Sequence, residues 1–149
     1  MAMDTAARKI DASAPPAALA RGPRRGRILV MDDERQVREM MCLQLAVSGY
    51  EVTASAHGED ALNAYRRARE SGRLYDAVIL DLLVPDGWGG ERTLAELLQF
   101  DPGVKALVCS GTLDGSREHY ERKGFRGVLG KPYTLAELCR ELEALLQSR

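Results

Sequence analysis

Five times in this chain a short strand-like run stops at a polar or turn-forming residue, and each time a stretch with helical character follows. Ile28-Leu29-Val30-Met31 stops at Asp32-Asp33-Glu34. An unbroken apolar run of that length is expected of a strand covered on both faces, because neither side meets water. Val37, Met40, Met41 and Leu45 then recur at helical spacing, and Gly49 closes that helix. Residues 51–56 predict a second strand, and Ala61, Leu62, Tyr65 and Ala68 a second helix ending near Gly72. Ala77-Val78-Ile79-Leu80 is the most hydrophobic strand, and it terminates at Asp81. After a loop at 84–90, Leu94, Leu97 and Leu98 mark a third helix, closed by Asp101-Pro102-Gly103. Ala106-Leu107-Val108-Cys109 ends at Ser110-Gly111, and a polar helix with few apolar anchors is expected from about 116 to 123. Residues 127–130 form a small fifth strand ending at Lys131-Pro132. Thr134, with Glu137 three residues on, makes a capping box, and Leu135, Leu138, Leu142 and Leu145 are the seam of the last helix.

Such an alternation predicts an α/β fold: a (βα)5 doubly wound, five-stranded parallel sheet with right-handed crossovers and helices on both faces. A length of 149 residues suits one domain. Residues 1–26, rich in Ala, Pro, Gly and Arg, are expected to be a disordered arm or linker, leaving 27–149 as the domain. The net charge of −1 conceals an asymmetry. Residues 1–27 carry six basic residues against two acidic ones, and the remainder carries fifteen against twenty. The basic stretch lacks any aromatic side chain to stack on bases, so a solvated linker is expected rather than a nucleic-acid contact. No apolar run approaches the roughly 20 residues of a membrane span, and no compact apolar leader opens the chain, so the expected location is cytoplasmic. Cys42, Cys109 and Cys139 are widely spaced, with no CxxC pair, and are expected to be packing residues rather than ligands.

In open parallel sheets of this kind, ligands bind beyond the carboxyl ends of the strands. The residues at those ends are Asp32-Asp33, Asp81, Ser110 and Lys131. Any one alone has an ordinary explanation as a helix cap or a turn; together they form a set. Three carboxylates at one edge cannot all stay ionised without a counter-charge. Hard oxygen donors with room for water favour Mg²⁺. A lysine and a hydroxyl beside them suit a phosphoryl group, so the set predicts phosphoryl transfer to a carboxylate.

Four segments carry a resemblance to the receiver domains of two-component response regulators: VMDDE (30–34), VILDLLVPDGWGG (78–90), ALVCSG (106–111) and GVLGKP (127–132). It spans residues 27 to about 146, and residues 81–90 and 124–133 look most like the receivers at the C-termini of hybrid sensor histidine kinases. The resemblance implies a flavodoxin-like sheet with strand order 2-1-3-4-5. It implies Asp81 as the phosphoacceptor, and Mg²⁺ held by Asp33, Asp81 and the backbone carbonyl of Leu83, with Asp32 acting through water. Ser110 and Lys131 would bind the phosphoryl oxygens, and the Lys131–Pro132 bond would be cis. The implied partners are a histidine kinase or histidine phosphotransfer protein as donor and a downstream protein as recipient of the signal. The implied role is a signalling phosphoacceptor that catalyses only its own phosphorylation and dephosphorylation. One departure stands out: the family often has an aromatic residue three positions before the lysine, and this chain has Val128.

Other readings fail on particular residues. A haloacid-dehalogenase phosphatase needs a carboxylate two residues beyond its nucleophile, where this chain has Leu83. A P-loop would need Ser or Thr where Pro132 stands, and a dinucleotide site a glycine-rich turn where Asp32-Asp33-Glu34 stands. The alternative from another class is a pseudo-receiver, an interaction module that takes no phosphate. A transcription factor is not expected, because the sequence ends after the fifth helix, with no helix-turn-helix segment following.

Overall fold

A computed structural model describes residues 24–148. Five strands and five helices alternate: β1 (Gly26–Met31), α1 (Arg35–Val47), β2 (Tyr50–Ser55), α2 (Gly58–Glu70), β3 (Ala77–Asp81), α3 (Gly90–Phe100), β4 (Ala106–Ser110), α4 (Arg117–Arg122), β5 (Gly127–Gly130) and α5 (Leu135–Gln147). All strand pairs are parallel, in the order β2-β1-β3-β4-β5. This is the expected doubly wound sheet, with its order reversing between β1 and β3.

Period-two alternation along the strands divides the core into two layers. Ile28, Val30, Ile79, Leu107, Cys109 and Leu129 face α1 and α5, where Met41, Leu45, Leu138 and Leu142 meet them. Leu29, Met31, Val78, Leu80 and Val108 face the opposite way, onto Ala61 and Tyr65 of α2, Leu94 and Leu97 of α3, and Tyr120 of α4. Cys42 and Cys109 are buried, and burial raises their thiols to about 11 and about 12, which keeps both protonated and inert as expected of packing residues. The capping box at Thr134 and Glu137 is formed in both directions. No helix among the described residues is long and apolar enough to cross a membrane.

The arm expected at 1–26 lies outside the described residues except for its last three, and those three are ordered. Gly26 pairs with Tyr50, and the Arg25 amide donates to the Gly49 carbonyl at 3.0 Å. The guanidinium groups of Arg24 and Arg25 pair with Glu51 and Glu143. Arginine-rich composition suggests a linker, but here backbone pairing with β2 overrides it.

Gly58 opens α2 where that helix passes closest to α3. A Cβ there would fall 2.0 Å from Thr93 Oγ1 and 2.9 Å from the Trp88 carbonyl oxygen. The Thr93 hydroxyl cannot simply turn away, because it donates to the Gly89 carbonyl at 2.9 Å. Gly58→Ala is therefore expected to destabilise the domain by about 1–3 kcal/mol through overpacking. A urea titration would show it as a lower midpoint at unchanged slope; a midpoint equal to that of the unsubstituted chain would mean that the two helices separate freely.

Candidate functional site

Strand register brings the strand-end residues to one edge. Met31 lies opposite Leu80, so the next residues, Asp32 and Asp81, emerge side by side. Ser110 lies opposite Gly130, so Lys131 leaves β5 beside it, and its amide donates to the Ser110 carbonyl at 3.0 Å. The Lys131–Pro132 peptide is cis.

Carboxylate oxygens of Asp32, Asp33 and Asp81 all lie within 4.8 Å of one another. Lys131 Nζ donates to Asp32 Oδ2 at 2.6 Å and stands 3.6 Å from Asp81 Oδ1. Asp32 and Asp81 are 3% and 6% exposed and Asp33 is half-buried, so this is a shielded cluster rather than an ordinary acidic surface. Asp32 is also fixed from below: its Oδ1 accepts from the Glu34 amide at 2.9 Å, and Arg38 donates to its carbonyl at 2.8 Å.

Electrostatics follow from that packing. Burial, and then the charge of Asp32, push the Asp81 carboxyl from 3.8 up to about 6, with Lys131 pulling the other way and Asp33 adding to the rise. Burial alone would lower the Lys131 ammonium, but its hydrogen bond to Asp32 and the charges of Asp32 and Asp81 win, so its pKa is raised and it stays cationic. One fixed cation thus faces three carboxylates. The remaining imbalance is a demand for a second positive charge, which hard oxygen ligands would satisfy with a divalent ion.

Two expected members sit differently from the carboxylates. Ser110 is buried at the end of β4, but its hydroxyl is engaged with Thr112, 3.1 Å from Thr112 Oγ1 and accepting from the Thr112 amide at 3.2 Å. Period-two geometry explains this: Asp32, Asp81 and Lys131 share the strand parity of the α1/α5 face, whereas Ser110 has the parity of Val108 and points toward the α4 side. Leu83 lies in the loop after β3 with its side chain exposed. That loop is drawn tightly over the strand end by glycine. A Cβ on Gly89 would fall 2.3 Å from the Leu82 carbonyl oxygen, and one on Gly90 2.7 Å from that of Asp81. From Lys131 an open, largely apolar groove of about 500 Å³ runs along α1, lined by Val37, Met40, Gln44, Pro132 and Tyr133.

Sequence reasoning missed Tyr120. The helix around it reads as polar, yet Tyr120 is fully buried, stacked edge-on to Phe125 with ring centroids 6.3 Å apart. The helix has few apolar anchors, as expected, but the one it buries is large. Only its four-residue spacing from the N-cap, Ser116, hinted at an inward-facing position. Val128 is half-buried in the same layer, and Phe125 is core.

The sequence model of the response regulator receiver domain matches residues 28–143. A response regulator receiver protein of Anaeromyxobacter is 32% identical over 113 residues, covering 75% of this chain and 45% of that protein. A probable transcriptional regulator of Porphyridium aerugineum is 37% identical over 124 residues, covering 81% and 48%. The chain thus spans about half the length of these relatives. Among solved structures, the receiver domain of a Pseudomonas aeruginosa sensor histidine kinase, with magnesium in its active-site cleft, is similar at a TM-score of 0.71 and 28% identity, covering 83% of this chain and 98% of that one. The Vibrio cholerae chemotaxis protein CheY4 is similar at a TM-score of 0.70 and 25% identity, covering 80% and 98%.

Proposed function

The chain belongs to the response regulator receiver family, and from that premise we propose that it accepts a phosphoryl group on Asp81 from a phosphohistidine and passes the signal on by protein contact. The observation that carries this reading is the shielded cluster of Asp32, Asp33 and Asp81 with Lys131 set against it. In the transfer, the donor N–P bond breaks as an Asp81 oxygen forms the new O–P bond. The donor imidazole, already protonated on its other ring nitrogen, keeps the N–P electron pair and leaves neutral. The nucleophile must be ionised. With a pKa of about 6, Asp81 is mostly so at neutral pH. The carboxylate and the incoming phosphoryl group repel each other, so positioning and charge neutralisation are the protein's main tasks. Lys131 supplies one positive charge, and release of the Ser110 hydroxyl from Thr112 would supply a hydrogen-bond donor.

The oxygen donors present fit Mg²⁺, with Asp33, Asp81 and the Leu83 carbonyl as direct ligands and Asp32 acting through water. Bound there, the ion would neutralise charge on the transferring phosphoryl oxygens. The donor, a histidine kinase or histidine phosphotransfer protein, must reach Asp81 past Lys131. The apolar groove along α1, with Met40 exposed at its side, is continuous with that approach.

The test uses acetyl phosphate, which bypasses the unidentified donor. Intact-mass spectrometry should show one phosphoryl group added with Mg²⁺ present and none with a chelator. Millimolar Mg²⁺ should also raise the melting temperature by roughly 2–5 °C, because it binds only the folded cluster, and Asp33→Ala should lose that rise. A chain that gains neither mass nor melting temperature would instead be a phosphorylation-independent interaction module.

A further inference from the structure

The Ser110 hydroxyl faces a competition. Its side chain has the strand parity of the α4 side, opposite to that of Asp81. To bond a phosphoryl group on Asp81, it must swing away from Thr112, with which it now makes two contacts. Thr112 belongs to the short segment 111–115, and three successive residues after it are held in place. Leu113 packs half-buried in the α2–α4 layer, its Cδ1 3.6 Å from the position of a Cβ on Gly130. Asp114 is paired twice with Tyr120: the tyrosine hydroxyl donates to Asp114 Oδ1 at 3.0 Å and accepts from the Asp114 amide at 3.1 Å. Gly115 lies so close to the His119 ring that a Cβ would fall 2.5 Å from its Cδ2.

These holds differ in kind. Apolar contact can slide, whereas a reciprocal hydrogen-bond pair has one geometry. Tyr120 is fully buried, so its hydroxyl is a fixed point of the core, while Thr112 and Asp114 are exposed and free to move once released. The loop that occupies the Ser110 hydroxyl is therefore tied, two residues further on, to a rigid post.

We propose that Tyr120 is a positioning residue for the phosphoacceptor site: its paired hydrogen bonds to Asp114 latch segment 111–115 and so keep the Ser110 hydroxyl on Thr112 until a phosphoryl group draws it away. This rests on the reading of Asp81 as the phosphoacceptor. The latch is a bias between two loop positions, and part of the Ser110–phosphoryl interaction is offset by breaking it. Removing the tyrosine hydroxyl lowers that offset, so the site should bind a phosphoryl mimic more tightly, not less.

The experiment titrates the full chain with beryllofluoride in Mg²⁺ and follows backbone amide resonances of residues 110–123. Tyr120→Phe keeps the ring contacts with Phe125 and His119 and loses only the latch. It should lower the apparent dissociation constant roughly threefold to tenfold, the range expected for one or two released hydrogen bonds. Asp114→Ala, which removes the side-chain half of the latch and keeps the amide bond to the Tyr120 hydroxyl, should give a smaller gain of the same sign. Asp114→Asn, which retains an acceptor oxygen, should behave as the unsubstituted chain. In a Ser110→Ala background, Tyr120→Phe should bring no gain, because the latch acts through that hydroxyl. Unchanged affinity in both Tyr120→Phe and Asp114→Ala would overturn the proposal, as would an equal gain without Ser110. If the unsubstituted chain binds no beryllofluoride, the phosphoacceptor reading itself falls, and the latch with it.

Discussion

Asp81→Asn is expected to take up no phosphoryl group from acetyl phosphate and, at neutral pH, to unfold at higher denaturant than the unsubstituted chain. Loss of chemistry follows from removing the only carboxylate of the cluster that ends β3, the central strand of the sheet. The gain in stability follows from electrostatics. A folded-state pKa of about 6 against an ordinary 3.8 means that the native site holds the Asp81 proton more tightly than the unfolded chain does. Stability contributed by that proton is therefore present at acid pH and is lost as the pH rises from about 4 through about 6. At pH 7 the ionised carboxylate is a net cost, which asparagine removes. We expect a gain of about 1–2 kcal/mol, less than the full shift implies because solvent screens the site. The gap between the two proteins should close as the pH falls from 7 toward 4, and millimolar Mg²⁺ should narrow it from the other side. An Asn variant that still gains one phosphoryl mass would remove Asp81 from its role. A gap that stays constant across that pH range would mean that Asp81 is not the strained group.

Lys131→Met should produce the second large effect, with the opposite sign in stability. Lysine is half-buried between two shielded carboxylates, and methionine preserves most of its apolar stem while deleting the charge. Asp32 would then be left 3% exposed without its cationic partner. Breaking a buried pair in this way costs about 3–5 kcal/mol. Because the deficit is one of positive charge, millimolar Mg²⁺ should restore much of it, which a simple packing defect would not allow. Transfer from acetyl phosphate should slow by about 10²- to 10³-fold, the usual effect of removing one pre-positioned charge from a transition state. A variant that loads phosphoryl at the unsubstituted rate would show that Lys131 serves only to hold Asp32.

The two variants also separate roles inside the cluster. Asp81 carries a strain that its removal relieves, whereas Lys131 relieves a strain that its removal exposes. Tyr120 stands apart from both. It touches neither Asp81 nor Lys131, and acts on the site through the residues that hold Ser110.

Much of this architecture was legible in the residues. Unbroken apolar runs such as 28–31 and 77–80 can be satisfied only by strands covered on both sides, and helical stripes between them leave few alternatives to a parallel sheet. That the polar residues ending those strands share one edge follows from parallel pairing, which brings every strand's carboxyl end to the same side. Cys42 and Cys109 are packing residues because the runs that carry them, Met41-Cys42-Leu43 and Leu107-Val108-Cys109, are apolar. β1 begins at Gly26, one residue before the expected start of the domain, because Gly26 pairs with Tyr50 and the Arg25 amide finds the Gly49 carbonyl, which no local pattern announces.

Sequence alone determined the fold class, the strand-end set Asp32, Asp33, Asp81, Ser110 and Lys131, and the chemistry that such a set supports, because these depend on periodicity and residue type. Tertiary structure decided how the members are engaged: Lys131 nearer Asp32 than Asp81, the Asp81 carboxyl raised, Ser110 turned toward Thr112, and Tyr120 buried beneath the loop. Each of these depends on distances of a few tenths of an ångström and on exclusion of water, and no pattern along the chain encodes either before the layers pack.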